Sequence, residues 1–144
     1  MEPKGGRREV RVTARRTKQD FVTFVLDLLQ GVYASARKLH LVVDNLNTHF
    51  RQSFIEVLGA EQAAVVLERI DFHYTPKHAS WLNMAEVEIG VLEKQCTGGR
   101  IPTEAMLQSA VAAWQQKRNG EKRGIEWTFT RAKADKKLAR HYVS

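Results

Sequence analysis

The stretch KLHLVVDNLNTHF, residues 38–50, passes from a hydrophobic run directly into a polar segment that starts at Asp44. The run at residues 38–43 is almost continuously apolar, which is typical of a parallel strand that is covered on both faces. In open α/β sheets, functional groups collect beyond the carboxyl ends of the strands. Asp44 is therefore a candidate functional carboxylate. Asn45 and Asn47 could cap the turn or orient it, and His49 could add a hydrogen bond or a positive charge, although an Asp at this place could instead cap the next helix.

Strands and helices alternate along the rest of the chain. The valines of REVRVT predict a strand at residues 8–13, and DFHYT predicts one at residues 71–75. Thr17 or Asp20 could cap the first predicted helix. The predicted helices span residues 17–36, 50–58, 60–69, 81–95 and 103–117, and an extended IEWTFT segment and a basic helix near residues 131–140 follow. This order predicts a single α/β domain with parallel strands.

The composition is that of a globular protein. The chain has 144 residues, of which 43% are hydrophobic and 27% are charged, and it has no apolar run of membrane-spanning length. Its only cysteine, Cys96, cannot form an intrachain disulfide, and no signal-like apolar segment follows the basic N-terminus. We therefore expect a cytoplasmic protein with no membrane partner.

The net charge of +7 is unevenly distributed. Residues 1–18 contain seven Lys and Arg against two acidic residues, residues 117–144 contain nine against three, and the centre is acidic. Basic flanks around an acidic centre suit a protein that holds a polyanion and keeps carboxylates for a divalent cation. Flanks that are merely solvated would have the same composition, so charge alone leaves both interpretations open.

A second group of polar residues follows the predicted strand DFHYT. The loop PKHASWLN contains Lys77, His78 and Trp81, and the helix after it bears Glu86 and Glu88. At about 100° per residue, the two glutamates lie about 80° on either side of the apolar stripe of this helix. That stripe comprises Leu82, Ala85, Ile89, Leu92 and Cys96. Either carboxylate can therefore lie at the edge of the core, or both can belong to a solvated helix face.

The segments LVVDNLNTH and FHYTPKHASWLNMAEVEIGVLEKQC resemble the second and third parts of the DDE-type endonuclease domain of transposases in the mariner-like superfamily. The resemblance is to the bacterial insertion-sequence 630 branch of that superfamily. VTARRTKQDF, the RIP step at residues 100–102 and the WTFT…KL tail extend it over nearly the whole chain. By position, the resemblance implies that Asp44 is the second catalytic carboxylate, supported by Asn45 and His49, and that Glu86 is the third.

The resemblance also implies a ribonuclease H-like fold and an enzyme that uses Mg²⁺ or Mn²⁺ to cut and join DNA. Asp44 and Glu86 would each bind metal, because carboxylate oxygens are the natural ligands of hard cations that assist phosphoryl transfer. Lys77 and His78 are candidates to contact DNA phosphates, and Trp81 is a candidate to stack on a base. Ordinary surface roles for the first two and a core position for Trp81 are the alternatives.

One part of the family pattern has no counterpart in this sequence. The first catalytic Asp of the family lies on the first strand of the fold. Glu2 and Glu9 are the only acidic residues before the first predicted helix, and neither stands in that motif. The three predicted strands would be strands 3, 4 and 5 of a sheet with the order 3-2-1-4-5, so strands 1 and 2 would be missing.

We therefore expect residues 1–144 to be the C-terminal portion of one DDE endonuclease domain, a partial ribonuclease H-like fold followed by C-terminal helices. The chain alone would be inactive, because it lacks the first catalytic Asp. The expected partners are DNA, at the element ends and the target, and either further copies of the chain in a homo-oligomer or an upstream transposase segment. A non-catalytic, basic nucleic-acid-binding or interaction remnant is the alternative.

Overall fold

The computed structural model describes residues 1–75, 84–126, 128, 130, 132, 133 and 136. This part of the chain has a mixed α/β fold. In chain order its elements are α1 (Lys18–Gln30), β1 (Leu39–Val43), α2 (Arg51–Leu58), α3 (Ala60–Leu67), β2 (Ile70–Tyr74), α4 (Met84–Leu92), a π-helical turn (Glu93–Thr97) and α5 (Glu104–Gly120). None of these helices combines the length and the apolar character that crossing a bilayer requires.

The two strands pair in parallel, with Leu39 opposite Ile70 and Val43 opposite Tyr74. The predicted strands at residues 38–43 and 71–75 are therefore confirmed, as is their parallel arrangement. Parallel strands need a crossover connection, which α2 and α3 provide here. Because the strands run in the same direction, the segments that follow Val43 and Tyr74 leave the sheet at the same edge.

The hydrophobic core lies on one face of this sheet. It is formed by buried residues of α1, α2, α3 and β2, and by strand residues that pack against them. The buried residues are Val22, Val25, Leu29, Phe54, Ala63, Leu67 and Ile70. On the opposite face, Val42 is 54% exposed, and His40 and His73 are exposed as well. The expectation that β1 is covered on both faces is therefore wrong for the described residues, because strand alternation turns His40 and Val42 away from the core.

The first helix begins at its predicted position but ends earlier. Thr17 is the N-cap: its side chain accepts a hydrogen bond from the backbone N–H of Asp20, and the Asp20 carboxylate accepts one from the backbone N–H of Thr17 at 2.8 Å. The side-chain hydrogen bond from Thr17 lowers the pKa of Asp20. The helix ends at Gln30 rather than at residue 36, with Gly31 as its C-cap in a non-helical conformation, and the Arg69 guanidinium binds carbonyls of the turn that follows. Those carbonyls belong to Tyr33, Ala34 and Ala36.

Residues 8–13 do not form the predicted strand and have no regular secondary structure. The side chain of Asn119, on α5, accepts a hydrogen bond from the N–H of Arg8 at 2.7 Å and donates one to its carbonyl at 2.8 Å. Gln115 accepts another from the N–H of Val10 at 2.5 Å. The prediction was wrong because side chains of a helix supply the partners that a neighbouring strand would give, and alternating valines do not distinguish the two.

The second half of the described chain is helical. The predicted helix at residues 103–117 is confirmed as α5, which Thr103 caps by accepting a hydrogen bond from the N–H of Met106 at 3.2 Å. The predicted helix at residues 81–95 is confirmed from Met84 onward, and its first residues lie outside the described ones. In the IEWTFT segment, residues 125, 126, 128 and 130 have no regular secondary structure. Most of the predicted helix near residues 131–140 lies outside the described residues.

Candidate functional site

Asp44 is the first residue after β1, and the loop that follows orients its side chain. Its Oδ1 lies 2.6 Å from Nδ1 of His49 and accepts a hydrogen bond from the N–H of Leu46 at 3.2 Å. The side chain is still 37% exposed. Asp44 does not cap the next helix, because the N-cap of α2 is Phe50. The carboxylate is therefore both oriented and accessible, as a ligand for a cation must be.

His49 is fixed from two further directions. Its ring centroid lies 4.7 Å from that of Phe21 on α1, and its carbonyl accepts a hydrogen bond from the hydroxyl of Tyr74 at 3.4 Å. A proton on Nδ1 makes the contact with Asp44 a hydrogen bond to the carboxylate. Helix α1 thus packs against the imidazole that orients Asp44, and strand β2 holds the backbone of the same residue.

Asn45 ties the ends of the two strands together. Its side-chain amide donates a hydrogen bond to the carbonyl of Thr75, the residue after β2, at 2.6 Å. The amide was predicted to support the site, and its contact is with the neighbouring strand end. The loop that carries Asp44 and the start of the segment toward α4 are consequently held next to each other.

Glu88 lies in a buried cluster of charged residues. The Arg8 guanidinium donates to both of its carboxylate oxygens, at 2.9 and 3.2 Å, and Arg118 donates to Oε1 from two nitrogens, at 3.2 and 2.9 Å. The side chain of Glu88 is 8% exposed and that of Arg8 is 2% exposed. Burial raises the pKa of Glu88, but the hydrogen bonds and charges of Arg8 and Arg118 lower it by more, so the pKa lies below its ordinary value.

The two glutamates that helical periodicity could not separate are therefore in different environments. Glu88 is buried and holds the N-terminal segment, α4 and α5 together through Arg8 and Arg118. Glu86 is exposed, and no residue in the described ranges forms a hydrogen bond or ion pair with it. The structure does not bring Glu86 into contact with Asp44, Asn45 or His49.

An open pocket of about 470 Å³ adjoins the Asp44 loop. His49 lines it together with Arg16 and with Ala85 and Ile89 of α4. Ile89 is 59% exposed, so the predicted apolar stripe of α4 faces this pocket instead of a closed core. The predicted DNA-contacting residues of the loop before α4 lie outside the described residues. They are Lys77, His78 and Trp81.

The donor chemistry of Asp44 and Glu86 matches Mg²⁺ or Mn²⁺, since both cations prefer oxygen ligands. Where the chain is described, no group of three or more His, Cys, Asp or Glu side chains is placed to hold a metal ion. Around neither carboxylate do the described residues assemble a complete metal site.

An oriented carboxylate at the end of a parallel strand is typical of α/β proteins, in which functional groups collect at the carboxyl edge of the sheet. A family model described as DDE superfamily endonuclease matches residues 1–108, three quarters of the chain, and the protein belongs to this family. The match includes both Asp44 and Glu86. Comparison with curated proteins and with solved structures gives no significant match.

The sequence did not point to four residues that form contacts in the structure: two arginines that bind Glu88, and two histidines that contact each other. Arg8 and Arg118 contact Glu88 from 80 and 30 positions away, and no local pattern marks such distant partners. His40 and His73 lie side by side on the exposed face of the sheet. Here a signal was present, because strand alternation puts both on the face opposite the apolar residues.

Proposed function

We propose that this protein is a DDE-type transposase of the mariner-like superfamily, in its bacterial insertion-sequence 630 branch, with a ribonuclease H-like fold. Its reaction is the metal-dependent cleavage and transfer of DNA strands during transposition. The observation that carries the proposal is the position of Asp44 at the end of β1, where His49 orients its carboxylate and solvent still reaches it. Membership of the DDE superfamily endonucleases supports the same chemistry.

In this proposal Asp44 and Glu86 hold Mg²⁺ or Mn²⁺. When bound, such cations stabilise the attacking and leaving oxygens of phosphoryl transfer. His49 and Asn45 act in support, since His49 fixes the Asp44 carboxylate and Asn45 joins the two strand ends. Of the two glutamates on α4, we assign the metal-binding role to Glu86, because two guanidinium groups already occupy the oxygens of Glu88.

A third carboxylate completes the catalytic set of this family, and we propose that an upstream transposase segment contributes it. This assignment is supported by the lack of a three-ligand cluster among the residues that the structure describes. Residues 1–144 would then be the C-terminal portion of one endonuclease domain. The proposed partners are DNA at the element ends and target, that upstream segment and further copies of the chain. The single cysteine fits a cytoplasmic location.

DNA is the proposed substrate, and the distribution of basic residues supports it. Arg15 and Arg16 are exposed, and neither forms an ion pair within the described ranges. Both are therefore available to neutralise phosphates. Lys77 and His78 are the proposed phosphate contacts of the loop before α4, and Trp81 is proposed to stack on a base.

The second candidate function is that of a basic nucleic-acid-binding remnant without catalytic activity. It is favoured by the lack of a complete ligand set, since the described residues contain no group of three His, Cys, Asp or Glu side chains that could hold a metal ion. Such a protein would bind DNA and occupy the partners of an intact transposase. The two candidates differ in whether activity appears once the missing carboxylate is supplied.

The deciding experiment fuses this chain to a segment from an intact family member that carries strands 1 and 2 with their Asp. We expect no cleavage of duplex DNA by the chain alone in Mg²⁺ or Mn²⁺, and cleavage by the fusion. Asp44→Asn or Glu86→Gln should lower the rate of the fusion by about 10³-fold or more. A fusion whose segment has its Asp changed to Ala should melt cooperatively and remain inactive.

Three results would each contradict a part of this proposal. A well-folded fusion that binds DNA and never cleaves it would favour the non-catalytic remnant. Mg²⁺-dependent cleavage by the 144-residue chain alone, lost in Glu86→Gln, would show that another acid of this chain completes the site. Retention of full activity in a Glu86→Gln fusion would remove Glu86 from the assignment.

A further inference from the structure

The sheet face opposite the core carries a pair of histidines. His40 on β1 lies diagonally across from His73 on β2, because the register pairs His40 with Asp71 and Val42 with His73. Nδ1 of His40 is 3.1 Å from Nε2 of His73, and the ring centroids are 5.3 Å apart. The His40 side chain is 65% exposed, so the pair contributes little to the core.

We propose that His40 and His73 form a binding site for a divalent cation of the zinc class, with water as the remaining ligands. Imidazole nitrogen suits Zn²⁺, Ni²⁺ and Cu²⁺, whereas Mg²⁺ prefers oxygen. Zn–N bonds of about 2.0–2.1 Å at a tetrahedral angle place two nitrogens about 3.3 Å apart. The observed separation of 3.1 Å requires only a small rotation of the rings to admit the ion.

Charged neighbours of the pair set its affinity. The Asp71 carboxylate lies 3.8 Å from Nδ1 of His40 and compensates part of the charge of a bound cation. Lys38 opposes this, since its ammonium group is 3.1 Å from the other oxygen of Asp71. No third ligand converges on the two rings within the described residues, so the site holds its ion through two imidazoles.

Binding at this site would join the two strands beneath the proposed catalytic edge. His40 precedes Asp44 by four residues, and His73 precedes Thr75 by two. An ion held by both imidazoles would fix β1 against β2 and hold the Asp44 loop, whose Asn45 contacts Thr75, more firmly. The inference does not depend on the proposed nuclease activity, because the ligands and the preferred metals of the two sites differ.

The test is a calorimetric titration of the full chain with ZnCl₂, together with thermal unfolding at each zinc concentration. Zn²⁺ should bind and raise the melting temperature, because a ligand that binds the folded state stabilises it. His40→Ala and His73→Ala should each weaken binding at least tenfold and remove the rise. Lys38→Gln should tighten binding, since it frees the Asp71 carboxylate. His141→Ala, which also removes one imidazole, is the matched control and should bind like the wild type.

Both histidines of the pair are on an exposed face, so their alanine variants should remain folded, and unfolding without metal checks this directly. His40→Gln and His73→Gln repeat the test with side chains of similar size. Zn²⁺ binding that survives in both pair variants would overturn the proposal. So would binding that is lost in Asp44→Asn but retained in His40→Ala, because the ion would then occupy the catalytic edge.

Discussion

Two carboxylates of this protein, those of Asp44 and Glu88, lie in opposite environments. Asp44 is 37% exposed, and its side-chain hydrogen bonds in the described chain are to His49 and to the N–H of Leu46. Glu88 is 8% exposed and accepts four hydrogen bonds from Arg8 and Arg118. Both residues are acidic, yet in the described chain only the oxygens of Glu88 are paired with guanidinium groups.

The difference shows how partners decide the use of a carboxylate. Two guanidinium groups compensate the charge of Glu88 and occupy its oxygens, which makes it a structural residue. Asp44 is oriented by a single imidazole and keeps its negative charge accessible to solvent. An oriented carboxylate that no cationic side chain neutralises is suited to bind a metal ion.

The largest expected effect comes from breaking the buried cluster. Glu88→Gln leaves the Arg8 and Arg118 charges without their counterion, which should lower the free energy of unfolding by about 3–5 kcal/mol. Urea unfolding followed by circular dichroism measures the change. The matched control is Glu86→Gln, an exposed neighbour on the same helix, which should change stability by less than about 0.5 kcal/mol. Equal losses in the two variants would contradict the structural role of Glu88.

A smaller effect, on metal affinity, should follow when Asp44 loses the hydrogen bond that orients its carboxylate. His49→Gln removes the imidazole that orients it, and loss of such a supporting partner typically weakens metal binding about 10–100-fold. Calorimetric titration with MnCl₂ tests this in the fusion that carries all three carboxylates. Asn47→Ala, in the same loop, should leave Mn²⁺ affinity unchanged. Unaltered Mn²⁺ affinity in His49→Gln would mean that His49 does not support the site.

Acid should weaken the buried cluster in a predictable direction. The folded-state pKa of Glu88 lies below its ordinary value of 4.5, so ionised Glu88 stabilises the fold above that pH. This contribution should decline as the pH falls through the folded-state pKa. In thermal unfolding between pH 7 and pH 3, the melting temperatures of the wild type and of Glu88→Gln should therefore converge in acid. If the difference in melting temperature between the two proteins grew as the pH fell, the pKa of Glu88 would be raised in the folded state, not lowered.

The smallest effect is expected for exposed basic residues. Some of them form ion pairs with acidic side chains and others do not. Replacing the unpaired Arg15 and Arg16 by alanine should reduce the salt dependence of duplex binding by up to about 1.8 in the log–log slope. The matched double variant replaces Arg7 and Lys18, which already pair with acidic side chains. Filter binding between about 50 and 200 mM salt measures both. Equal decreases in the two variants would show that pairing does not govern DNA contact.

Local patterns predicted much of the fold. The apolar run of β1, the periodic helices and the Thr17 cap each depend on neighbouring residues, which a sequence displays directly. The predicted strand at residues 8–13 failed because its hydrogen-bond partners, Gln115 and Asn119, lie more than 100 residues away. Periodicity shows which residues alternate, but it does not identify the partners that form hydrogen bonds with their backbone N–H and C=O groups.

The candidate site was predictable to a similar degree. The change from apolar to polar residues at Asp44 indicated a strand end, and the structure places His49 against its carboxylate. Helical geometry could not choose between Glu86 and Glu88, because both lie at the same angle from the apolar stripe. Contacts of Glu88 with distant arginines separate them in the structure, and such contacts depend on how whole segments pack.

The hydrogen bonds between Arg8 and Asn119 have a consequence for the order in which the molecule is made. Synthesis at about 5–20 residues per second puts Arg8 outside the ribosome some 5–20 s before its partners on α5 are complete. Helix α1, the two strands and the helices between them can assemble during that interval, while the N-terminal segment waits undocked. A ribosome that stops just before Arg118 would therefore release a chain with its sheet formed, in which Gln115 is present but Arg8 lacks its partner Asn119.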